Sequence, residues 1–294
     1  MRVLLQATSA ESTLVTPSDI ARSDIERILT GIDAGVTAAA IIILVAAAAR
    51  ASVTRRGLLT AAPPRPNRFT EETVLIAVGV YFLAAAILSA IVPGLAAEPW
   101  SVLLVDNGAR LAGAAVCIWA AERRFEGGVR TWLLKYGVTL GLVVRTVITS
   151  GAIVLGVCPL VRDATAWLIA YLAPAFIPQP HPTIERLEAA ADPAVTAALW
   201  LAAAVLAPVA EELFFRGILQ TVLAGLLRNR WAAIGWTALA FGLVHLNQPQ
   251  AVPALFVMGV FLGFAYERTG ALWAPVVIHV AFNLRTLIWY GLAA

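Results

Sequence analysis

The sequence predicts an all-α protein, a polytopic transmembrane helical bundle of about eight spans. Three observations lead there. Of 294 residues, 60% are hydrophobic and only 13% are charged, where a soluble domain carries about 25% charged residues. The mean hydropathy of +0.83 belongs to a chain solvated largely by lipid. Finally, the apolar residues gather into runs close to the roughly 20 that one helix needs to cross a bilayer core. A pI near 9.2 could suggest nucleic acid, but Lys and Arg sit in short clusters between apolar runs. That pattern orients a membrane protein, and no nucleic-acid partner is expected.

The apolar runs fall at about 31–49, 73–95, 101–121, 137–157, 195–216, 231–246, 252–267 and 273–291. They divide the chain into an outer N-terminal segment (1–30), a four-span region (31–160), an outer loop (161–194) and a C-terminal four-span core (195–294). The first 30 residues mix Glu11, Asp19, Asp24 and Glu26 with scattered arginines. They lack the charged-then-apolar order of a signal peptide, so the first span is expected to insert the protein. Prolines in Ala61-Ala62-Pro63-Pro64-Arg65-Pro66 separate the first two runs. The apolar stretch from Ala164 to Ile177 is short and punctuated by Pro174 and Pro178. It is expected to lie in the membrane interface or cap the bundle.

With the N-terminus outside, 12 of the 21 Lys and Arg residues fall in inner loops and 5 in outer segments. The positive-inside rule prefers that topology. The expectation is a multi-pass protein of the plasma (inner) membrane with both termini outward and the lipid bilayer as its surroundings. Gly137-x-x-x-Gly141 and Gly259-x-x-x-Gly263 are expected to let helix backbones approach closely. Trp100, Trp119, Trp132 and Trp273 fall near span ends, where indoles prefer the interface. Cys117 and Cys158 form no CxxC pair and imply neither a disulfide framework nor a cysteine zinc site.

Ionisable groups at membrane depth are costly, so each needs a reason. Asp106 and Arg110, four residues apart, are expected to neutralise each other. Asp33 and Arg145 are lone charges expected to meet a buried partner or, for the arginine, to snorkel. The run Ala207-Pro208-Val209-Ala210-Glu211-Glu212-Leu213-Phe214-Phe215-Arg216-Gly217 differs in kind. Glu212 and Arg216 can pair at i, i+4. Glu211, about 100° around the helix, is left to face something else. Phe241-Gly242-Leu243-Val244-His245 and His279-Val280-Ala281-Phe282-Asn283 add two histidines and an asparagine to the same 73-residue stretch. The third histidine, His181, lies among prolines in the outer loop and reads as a surface residue.

Glu211-Glu212-x-x-x-Arg216, Phe241-x-x-x-His245 and His279-x-x-x-Asn283 together resemble the three motifs of the CPBP (CAAX protease and bacteriocin-processing, Abi) family of intramembrane proteases. The resemblance covers about 195–291. It implies an enzyme, an intramembrane endopeptidase hydrolysing a membrane-associated or prenylated, CAAX-like protein substrate, with the active site toward the cytoplasm. By similarity Glu211 and His245 activate water, His279 and Asn283 stabilise the oxyanion, and Glu212 and Arg216 shape the site. The physics agrees: low dielectric disfavours carboxylate charge, which suits a general base. An amide or imidazole N–H can meet a developing oxyanion. The chemistry is expected to need no cofactor, although Glu211, His245 and His279 could instead ligate a divalent metal such as zinc, as in a metalloprotease. Two other functions fit intramembrane charge: a noncatalytic scaffold or immunity protein of the same family, and a proton-coupled transporter, against which the lack of an inverted repeat argues.

Overall fold

The fold was described from a computed structural model in which residues 17–54, 57–59, 67–92, 99–134, 138–176 and 182–293 are placed. The proline linker, Gly137 and His181 lie outside the described residues. Ten helices account for nearly all of the described chain: α1 (Pro17–Thr54), α2 (Glu71–Ile91), α3 (Pro99–Arg124), α4 (Gly128–Leu134), α5 (Leu140–Leu172), α6 (Pro182–Ala189), α7 (Pro193–Leu227), α8 (Arg230–Leu243), α9 (Val252–Thr269) and α10 (Trp273–Ala293). Helix ends follow from local chemistry. Thr139 and Asn229 accept from Leu142 N–H (3.4 Å) and Ala232 N–H (3.1 Å) to start α5 and α8. Asp192 accepts from Ala194 N–H (2.8 Å), with Pro193 as the first residue of α7. Such caps satisfy N–H groups that have no partner inside the helix. Gly270, at φ 71°, closes α9 in the left-handed region that glycine tolerates.

Among the described residues, six helices are long and apolar enough to cross a membrane: α1, α2, α3, α5, α7 and α9. The expected sixth and eighth spans are α8 and α10. With 14 residues, α8 reaches about 21 Å and packs against α7 and α9. Outward faces remain apolar: Leu75, Phe82, Ile148, Trp167 and Leu172 are each more than half exposed, a surface suited to lipid. The core forms where α3, α4 and α7 meet, around Trp132, Ile218 and Leu272, and where α5, α7, α8, α9 and α10 meet, around Phe241, Met258 and Ile278.

Four expectations are corrected. The stretch after 161 does not form a separate interfacial segment: α5 continues unbroken through Pro159 to Leu172. Exposed apolar residues such as Leu160, Trp167 and Leu168 continue past 157, and the exposed charges there, Arg162 and Asp163, pair with each other at 2.8 Å. Asp106 does not pair with Arg110. Arg186 of α6 reaches it at 2.9 Å, while Arg110 donates to Asn107. Trp132 is not interfacial but fully buried, because Gly217 of α7 leaves space for its ring: a Cβ there would stand 2.2 Å from Trp132. Gly141 has nothing within 4 Å of where a Cβ would be, so no described helix packs closely on it.

The lone charges resolve differently. Asp33 of α1 is met by Arg285 and by Trp289 Nε1–H (3.2 Å), both from α10. Arg145 is exposed and lies near Arg268, which Arg50 also approaches. Further ties mark the same basic end. Arg268 donates to Leu58 O at 2.6 Å, and Arg68 N–H donates to Arg124 O at 2.7 Å.

Candidate active site

The site is built on α7, and the irregularity of that helix positions it. Backbone bonding is π-type over Ala202–Leu206, α-type over Ala207–Glu212 and π-type again over Leu213–Gln220. π-turns recur at functional sites because they re-aim side chains. The first has a visible cause. Ala207 N–H donates to Ala202 O, the i to i−5 pattern. Pro208, the next residue, has no N–H to offer Ala203. Asn283 of α10 supplies the missing donor, its Nδ2 lying 2.8 Å from Ala203 O. Asn283 therefore fastens α10 to α7 with one amide N–H and keeps a second for another acceptor.

Beyond that turn, Glu211 and Glu212 project toward α10. Glu212 is fully buried, and its Oε1 accepts from Arg216 Nη1 at 2.9 Å and from His279 Nδ1 at 2.8 Å. The other ring nitrogen of His279, Nε2, lies 3.8 Å from Glu211 Oε2. His279 thus stands between two carboxylates, with Arg216 balancing one of them. Its side chain is 3% exposed, whereas that of Glu211 is 24% exposed. That difference makes Glu211 the carboxylate a water molecule or substrate can reach. Arg216 Nη2 also donates to Gly259 O of α9 at 3.3 Å, and the guanidinium lies 4.7 Å from the Phe241 ring centroid.

Phe241 organises the histidines. Its ring lies 5.3 Å from His245 and 5.6 Å, edge-on, from His279. His245 is half-buried in the turn after α8, and its Nδ1 lies 2.9 Å from Phe241 O. A carbonyl only accepts, so Nδ1 carries the proton and a neutral ring presents the Nε2 lone pair. Glu211, Glu212, Arg216 and His279 are thus joined directly, His245 adjoins them through Phe241, and Asn283 touches the scaffold of α7.

The metal alternative was tested on this geometry. Among the described residues, no three His, Cys, Asp or Glu side chains are arranged to hold a metal ion. Nδ1 of His279 is held by Glu212, which leaves its Nε2 open, but Glu211, His245 and His279 are not gathered into a ligand set.

Sequence reasoning missed the continuation of this polar stripe. Gln220, one turn beyond Arg216, is fully buried and donates to Gly263 O (3.1 Å) and Glu267 Oε1 (2.8 Å) of α9. Glu267 is in turn 3.5 Å from Arg230 of α8. The spacing of residues 212, 216 and 220 against 259, 263 and 267 is the signal that was present. The two glycines do make room: a Cβ on Gly263 would lie 2.6 Å from Gln220 Oε1, and one on Gly259 would lie 2.9 Å from Ala238.

Comparison with known proteins bears on this region. Residues 193–285 match the family model described as Type II CAAX prenyl endopeptidase Rce1-like. No curated protein matches the chain. No solved structure matches it either. The matched residues begin where α7 begins and contain Glu211, Glu212, Arg216, His245, His279 and Asn283 together, so the likeness to the CAAX prenyl endopeptidase (CPBP) family lies in the C-terminal third of the chain.

Proposed function

We propose that this site hydrolyses a peptide bond in a membrane-associated protein, with prenylated CAAX-like tails as the substrate class. One observation carries the reading: the chain Arg216–Glu212–His279–Glu211, buried at one end and reachable at the other. Here the last carboxylate is left at the edge, beside an imidazole whose far side is already held.

In the proposed reaction Glu211 takes a proton from water as the oxygen attacks the carbonyl carbon, and His245 Nε2 helps to hold that water. The resulting oxyanion is met by an N–H of His279 and by the second amide N–H of Asn283. Collapse breaks the C–N bond, and the proton on Glu211 passes to the leaving amine. Glu212 acts through His279, fixing its ring orientation, and Arg216 offsets the charge of Glu212 in a medium of low dielectric. With Arg216 charged, the four groups are electrically neutral when they share one further proton. The active site is proposed to face the cytoplasm, on the side where the basic loops lie.

The test uses the full-length protein reconstituted in lipid with a farnesylated peptide ending in a CAAX-like sequence. Turnover by wild type, with loss of about two to four orders of magnitude in Glu211→Gln, is the expected result. Binding of the peptide with no hydrolysis by wild type would favour a scaffold over an enzyme.

A further inference from the structure

A cavity of about 420 Å³ lies at the basic end of the bundle, where α2 begins, α7 ends, α8 begins and α9 ends. Thr221 in its wall is ten residues beyond Glu211 on α7, about 15 Å along the helix, so this is not the catalytic site. Its size falls within the roughly 300–1,000 Å³ of small-ligand sites. One wall is apolar, from Phe69 and Val222, and the rest carries charge of both signs, from Glu71, Glu267, Arg228 and Arg230.

Two of those charges are already used. Glu267 accepts from Gln220 at 2.8 Å and lies 3.5 Å from Arg230. The other two are not. Among the described residues, neither Arg228 nor Glu71 has an ion-pair or side-chain hydrogen-bond partner. Arg228 is also the one non-glycine residue with a positive φ among those described, at 49°. It occupies the helix-ending position that glycine normally fills. A non-glycine residue there carries a backbone cost, and the Arg228 side chain is exposed at the mouth of the cavity.

The depth is informative too. Candidate span α2 starts at Glu71 and candidate span α9 stops at Thr269, so the cavity lies level with span ends, where helices leave the hydrocarbon. Basic pockets between helices at this level receive phosphate headgroups. An anionic headgroup alone would leave Glu71 opposed, whereas a zwitterion answers both unpaired charges.

We propose that this cavity binds the phosphoethanolamine headgroup of a glycerophospholipid. Its phosphodiester meets Arg228, its ammonium donates to Glu71, and its glycerol end lies against Phe69 and Val222. A trimethylammonium headgroup cannot donate to Glu71, and a glycerol headgroup carries no cation.

The experiment is native mass spectrometry of the detergent-purified full chain. It is loaded with phosphatidylethanolamine, phosphatidylcholine or phosphatidylglycerol of the same acyl chains, with soluble glycerophosphoethanolamine as competitor. Wild type is expected to retain phosphatidylethanolamine above the other two, and the soluble competitor is expected not to displace it. Glu71→Gln is expected to erase the preference over phosphatidylcholine. Arg228→Gly relieves the backbone and is expected to raise the thermal midpoint while lowering lipid retention about fivefold, the scale of one partly exposed charge pair. Equal retention of the three lipids by wild type would overturn the proposal, as would unchanged retention in Arg228→Gly. Displacement by glycerophosphoethanolamine at equal concentration would overturn the lipid source and assign a soluble phosphoethanolamine instead.

Discussion

Glu212 Oε1 accepts from Arg216 and His279 at once, so taking away either donor leaves carboxylate charge in an apolar interior. Arg216→Ala is expected to lower stability by about 3–5 kcal/mol, because both members of the pair are fully buried. The check is the thermal midpoint of the purified variant together with its abundance in membranes. A stable but inactive variant would move Arg216 into the chemistry itself. Glu212→Gln should separate from Glu211→Gln: the first disturbs the hold on His279 and costs stability, while the second leaves the fold and removes the proposed base. The Glu212–Arg216 pair was legible in sequence, since i, i+4 spacing puts both on one helical stripe. The bond from His279 to Glu212 was not, because it depends on how α10 packs against α7. Asn283 shows the limit most clearly. Its bond to Ala203 O follows from Pro208, but only once the helix is known to be π-type there.

At the scale of elements, α7 carries the argument. Its 35 residues span about 52 Å, well beyond a hydrocarbon core of roughly 30 Å. Glu211 can therefore lie inside the bundle while the last turns, with α8, emerge beyond it. The second π stretch is packed on both sides, by Trp132 at Gly217 and by α9 at Gln220. Gly217→Ala is expected to cost about 1–3 kcal/mol by forcing the fully buried Trp132 ring aside, measured as a lower thermal midpoint. Trp132→Ala combined with Gly217→Ala should lose less than the two changes summed, since the clash vanishes with the ring. Hydropathy located the spans because apolar runs report lipid contact. It placed α5 too short and made Trp132 interfacial, because neither a helix's continuation nor a glycine-lined slot on a distant helix changes local hydropathy.

At the scale of the whole molecule, the N-terminal helices are fastened to those of the candidate site. The tether runs from Asp33 to Arg285 and Trp289, two turns or less from Asn283 on α10. At the same end of α10, α6 is held by Tyr290–Glu188, and by Arg186–Asp106 to α3. The proposed topology has a direct check, since Cys117 and Cys158 are both buried and give little background to a membrane-impermeant maleimide. Cysteines placed at Arg123 and at Tyr171 are expected to label from opposite sides, the first from the cytoplasm; labelling from one side only would contradict the orientation. The claim on which the rest depends is that Glu211 is the base of a peptide-bond hydrolase. It is tested most directly by comparing the membrane proteins of cells carrying wild type or Glu211→Gln at equal abundance, with new N- and C-termini mapped by mass spectrometry. The expected result is at least one membrane-associated protein that stays uncleaved in the variant and is processed in wild type. Identical termini in the two membranes, with the variant folded and inserted, would contradict it.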